Sequence, residues 1–227
     1  MDFFRLYRDT GLNFSNQDKW KELWWSYKLS LKVNFLIALI IGVAIYLKIS
    51  DFSSLENNNT FFDGENNSFV YNLADLYLAA TIEEVIFRLH IDFKRNHILV
   101  SLLASLLFIF FFFKFNFMWI WVVGNLLILY LSSFYKSYSL SQKSQFLGIY
   151  ILVNSFIFAL AHTEDFSSIN KNNCIVFILV LLNRMFDGIL FCRIRLKNQG
   201  LEWSVLLHIL VNSLPFLISF SRTFIKK

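Results

Sequence analysis

The stretch Ala79-Ala80-Thr81-Ile82-Glu83-Glu84-Val85-Ile86-Phe87-Arg88 puts two carboxylates and a guanidinium into an apolar run. Glu84 and Arg88 stand at i and i+4, so on a helix they share a face and can pair. Glu83 points about 100° away from its neighbour and has no cation at helical spacing on its own helix. It is therefore aimed at another element. In a bilayer such side chains are costly and are kept for a pairing or a chemical task, and a carboxylate in a cavity suits general-base work. Glu84 and Arg88 read as a structural pair, Glu83 as the reactive member.

The rest of the chain supplies the apolar setting. Of its 227 residues, 56% are apolar and 28 are phenylalanine. A soluble domain of that length keeps much of its surface in water and cannot hide so much apolar area, so lipid is the expected solvent. The formal charge is +5, with basic residues crowded near the N-terminus (Arg5, Arg8, Lys19, Lys21, Lys28, Lys32) and only acids between Asp51 and Glu65. That asymmetry has the form of a positive-inside signal and not of a nucleic-acid patch. It predicts a multi-pass protein of the cell membrane with a cytoplasmic N-terminus. The first apolar run starts only after about 30 polar and aromatic residues, as expected of an anchor and not of a cleaved signal.

Hydropathy predicts an all-α transmembrane bundle. An interfacial segment over 1–30 carries Trp20, Trp24, Trp25 and Tyr27 beside basic residues. A membrane-embedded helical domain over 31–227 follows, with about seven spans at 31–48, 70–92, 97–114, 117–135, 145–163, 174–193 and 201–221. The 97–135 stretch is nearly twice as long as a ~30 Å core requires and reads as a helical hairpin. Cys174 and Cys192, at either end of one span, would lie about 27 Å apart and cannot bridge.

Two later spans carry polar groups of their own. Ser155-Phe156-Ile157-Phe158-Ala159-Leu160-Ala161-His162 closes the fifth span, and Leu207-His208-Ile209-Leu210-Val211-Asn212 lies in the last. His208 and Asn212, at i and i+4, present an imidazole and an amide on one face. Arg184 and Asp187, at i and i+3 in the sixth span, read as a structural pair. His90 and His97 flank the basic Lys94-Arg95 turn and read as interfacial. Even placement of the spans sets Glu83 and Asn212 near mid-membrane and His162 nearer the outer surface.

Glu83-Glu84-x-x-x-Arg88, Phe158-x-x-x-His162 and His208-x-x-x-Asn212, in that order and each on an apolar helix, resemble the three motifs of a known family. It is the CAAX-protease and bacteriocin-processing (CPBP, or Abi) family of intramembrane glutamic endopeptidases. The segment from Phe186-Asp187-Gly188 to Gly200-Leu201 is similar to the one leading into that family's last motif. The resemblance covers about 75–220, with the 97–135 hairpin as an insertion. It implies a CAAX-protease-like core in which Glu83 and His162 bind and activate water and His208 and Asn212 stabilise the oxyanion. Glu84 and Arg88 would hold their helix in register, with Phe158 as a further supporting residue. The implied substrate is a membrane-associated peptide or protein in the lipid bilayer, with no cofactor and no nucleic-acid partner.

Two other readings stand beside the peptidase. One is a non-catalytic membrane scaffold or bacteriocin-immunity protein of the same fold. The other is a transporter whose buried Glu, Arg and His form a proton or substrate path, which the lack of inverted repeats disfavours. A glutamate and two histidines can also hold zinc. No His-Glu-x-x-His is present and an arginine stands beside the carboxylate pair, so no metal is expected.

Overall fold

The computed structural model describes residues 15–47, 69–112, 118–135, 140–162 and 173–225. Arg5, Arg8, the acidic 51–65 segment and Lys226-Lys227 lie outside the described residues. Those described are all-helical: seven α-helices and one 3-10 turn, with no strand. We label them α1 (Asn16–Tyr46), α2 (Phe69–Phe87), the 3-10 turn (Leu89–Asp92), α3 (Arg95–Phe112), α4 (Met118–Tyr135), α5 (Leu140–Ala161), α6 (Cys174–Asn198) and α7 (Leu201–Ile225). Each α-helix overlaps one of the seven apolar segments. Two of them, α1 and α6, are long and apolar enough to cross a membrane.

The interfacial segment and the first span form one continuous helix across residue 30. Ser15 starts it: its hydroxyl accepts from the Asp18 backbone N–H at 3.3 Å and donates to the Asp18 carboxylate at 2.6 Å, so one of the orphan donors of the first turn is satisfied. Farther along α1, Glu22 is buried and takes Arg193 at 2.8 Å and Lys197 at 2.5 Å, both from the last turns of α6. Ser30 donates to Asp187 at 2.7 Å, and Asn183 donates to Asn34. A polar seam therefore joins α1 to α6.

The main core draws on five helices. Leu23 of α1, Ile86 and Phe87 of α2, Phe158 of α5, Leu190, Phe191 and Ile194 of α6, and Leu207 and Val211 of α7 pack together. The α5–α6 contact is close because Gly188 has no side chain: a Cβ there would meet Ser155 Cβ at 3.1 Å and Phe158 Cδ1 at 3.2 Å. The α3–α4 hairpin stands against α2 and the 3-10 turn, through Ile98 beside Ile91.

Where α2 ends, its last carbonyls need donors. Ser101 of α3 supplies Ile86 at 2.5 Å, and Asn154 of α5 supplies Phe87 at 2.6 Å. His90 is held in the same cluster, with Nδ1 3.0 Å from Ser101 Oγ and its ring edge-on to Tyr150. It has no exposed surface. His97 stays partly exposed, on Asp92.

Candidate active site

Glu83 lies in the last turns of α2, His162 just past the end of α5, and His208 in the second turn of α7. Glu83 Oε2 is 3.1 Å from His162 Nε2 and 3.6 Å from His208 Nε2. One carboxylate oxygen thus touches two imidazoles from two other helices. Glu83 is aimed across the bundle, as its angular offset from Arg88 requires. Since α5 stops at Ala161 and His162 Nε2 meets Glu83 Oε2, the two groups lie at one level of the bundle.

The ring of His162 has a fixed orientation. Its Nδ1 is 2.8 Å from the Phe158 carbonyl oxygen. A carbonyl only accepts, so Nδ1 carries a proton and Nε2 faces Glu83. The Glu83 and His162 side chains are 25% and 22% exposed, while His208, Glu84 and Arg88 are sealed. Glu83 Oε2 is buried; Oε1 is the oxygen left open.

Behind this pair lies a second one. Glu84 reaches two partners with the same oxygen: Arg88 Nη1 at 3.3 Å within α2, and His208 Nδ1 at 3.0 Å on α7. The expected Glu84–Arg88 pairing is present, but Glu84 does more than hold its own helix in register: it orients an imidazole of another. Arg88 lies over the Phe158 ring at 3.9 Å and near Phe191 and Phe87. Phe191 stacks on His208 at 4.6 Å, and Phe158 touches the rings of both His162 and His208. Phe158 is the shared wall of the site.

Asn212, one turn beyond His208, is half-buried, and its side chain makes no hydrogen bond with the described residues. Arg184 and Asp187 are not an ion pair. Asp187 accepts from Ser30 of α1 instead, since a cross-helix hydroxyl reaches its carboxylate better than a neighbour three residues back. Asn154 was missed by sequence reasoning. It shares a helical face with Phe158 and His162 at i, i+4 and i+8, and that spacing is the signal that marks it. Cys174 and Cys192 are free. Among the described residues no group of three or more His, Cys, Asp or Glu is arranged to hold a metal ion.

No protein-family model, curated protein or solved structure matches the chain.

Proposed function

We propose that this chain is an intramembrane endopeptidase of the glutamic type. It spans the cell membrane seven times with its N-terminus in the cytoplasm, and its core is built like that of the CAAX-protease and bacteriocin-processing family. One observation carries the reading: Glu83 Oε2 between the Nε2 atoms of His162 and His208, at 3.1 and 3.6 Å, with Oε1 facing the open side.

Hydrolysis of an amide needs a base for water and donors where negative charge develops. Water at the open edge of Glu83 and His162 gives its proton to the carboxylate as its oxygen attacks the scissile carbonyl carbon. Charge collects on the former carbonyl oxygen. His208 has Nδ1 tied to Glu84 and serves as a donor through Nε2–H; Asn212 adds an amide N–H from the next turn. Donors of this kind are strong in a water-poor wall such as that of Phe158 and Phe191. Glu83 then returns its proton to the leaving nitrogen as the C–N bond breaks. The outward faces of the helices carry large exposed apolar side chains such as Phe35, Phe110 and Ile149, so a substrate of the enclosed site is expected in or against the membrane.

Peptide products from membranes carrying the native protein or Glu83→Gln test this by mass spectrometry. Glu83→Gln should lower cleavage by at least about 10²-fold with an unchanged melting temperature, and strong chelators should leave native cleavage intact. Undiminished cleavage by Glu83→Gln overturns the proposal. A cellular phenotype that Glu83→Gln fully retains would favour the scaffold or immunity reading.

A further inference from the structure

A second polar cavity lies at one end of the bundle, between the 3-10 turn, the start of α5 and the α6–α7 junction. It measures about 560 Å³, with Leu147 and Leu196 on an apolar wall and Asp92, Lys94, His97 and Arg195 on a charged one. Glu83, His162, His208 and Asn212 are absent from its lining, so the cavity is separate from the peptidase site.

At Asp92 the charged wall has more donors than carboxylate oxygens that meet them. Asp92 Oδ2 lies 2.8 Å from His97 Nδ1, 3.3 Å from Arg195 Nη2 and 3.5 Å from Lys94 Nζ. Three basic groups converge on one carboxylate. Glu202, on the rim, does not relieve them, because its carboxylate is folded over Gly200, where a Cβ would meet it. Arg195 is 8% exposed and reaches the wall through Nη2. One carboxylate oxygen shared by Arg195 Nη2, Lys94 Nζ and His97 leaves donors on Arg195 and Lys94 to spare, and a second anion would take them.

The surroundings identify the anion. Trp203, in the first turn of α7 beside this cavity, meets Trp20 edge-on at 5.2 Å. Arg193, two residues before Arg195, lies over Trp25 at 4.3 Å. Tryptophan rings interleaved with Lys and Arg at one end of an apolar bundle mark the headgroup level of a bilayer. We infer that this cavity binds the phosphate group of an anionic amphiphile, in the membrane a phospholipid. Arg195 and Lys94 take phosphate oxygens, and the Leu147–Leu196 wall takes the glycerol and first methylenes. The inference rests on the membrane placement and not on the peptide chemistry, so an inactive peptidase would leave it standing.

The full-length protein in neutral detergent tests it through its melting temperature. Added phosphatidylglycerol should raise the midpoint by several degrees and phosphatidylcholine much less, and Lys94→Gln should lose at least half of that rise. The Lys94 side chain is 70% exposed, so this variant keeps the fold even where Arg195→Gln does not. Inorganic phosphate giving the full rise alone would keep the phosphate site but assign it to a soluble source. No rise with either ligand, or an equal rise in Lys94→Gln, overturns the inference.

Discussion

Arg88 has no exposed surface, and its charge is balanced by one carboxylate oxygen at 3.3 Å and three phenyl rings. A desolvated ion held this way is stable only while its partner is present. Arg88→Leu would leave the buried Glu84 with His208 alone, and it should cost about 3–5 kcal/mol, seen as a lower thermal midpoint in detergent. The double variant with Glu84→Gln should regain a good part of the loss; an unchanged midpoint in Arg88→Leu would show that the pair supports nothing. Asn212 belongs to a different class. In the proposed peptidase its amide acts only once charge has developed, so Asn212→Ala should lower kcat by about 10²–10³-fold at near-constant KM. At this scale the i, i+4 spacing announced the Glu84–Arg88 pair on one helix. Pairs on two helices were beyond the reach of spacing. The Glu84–His208 bond and the Ser30–Asp187 bond have no periodicity that could announce them, and the Arg184–Asp187 spacing pointed to a pairing that a hydroxyl of α1 displaces.

Helices were easier to read than their ends. Long apolar runs bounded by polar turns place all seven, because apolar length is a property of contiguous residues. One helix runs through residue 30, and Glu22 in its first half is neutralised by Arg193 and Lys197. Element packing in turn sets the site. Phe158 and His162 ride on α5, and α5 is drawn onto α6 at Gly188, where the nearest atoms to an added Cβ are Ser155 Cβ and Cα and Phe158 Cδ1 at 3.1–3.2 Å. A large side chain there must push α5 away. Gly188→Leu should destabilise the protein by about 1–3 kcal/mol and take His162 out of reach of Glu83, so cleavage falls further than stability alone explains. Equal cleavage per folded molecule in Gly188→Leu and native protein would show that α5 does not position the histidine.

For the molecule as a whole, the number of crossings decides whether the three motif helices can meet with their polar ends at one depth. In the proposed arrangement the α3–α4 hairpin crosses twice and restores the direction of the chain before α5. The contact of Glu83 with His162 then brings an α2 running inward together with an α5 running outward. A single crossing over 97–135 would reverse α5, α6 and α7 relative to α2. The two arrangements differ at two positions. With two crossings, residue 96 faces the cytoplasm and residue 167 the outside; with one crossing, both face the cytoplasm. Single cysteines, Asn96→Cys and Ser167→Cys in a chain with Cys174 and Cys192 replaced by serine, report this through a membrane-impermeant maleimide on intact cells. Labelling at residue 167 but not at residue 96 is the expected outcome. Protection of both would reduce the hairpin to one span. The antiparallel approach of α2 and α5, on which the shared oxygen of Glu83 depends, would then be incompatible with the bilayer.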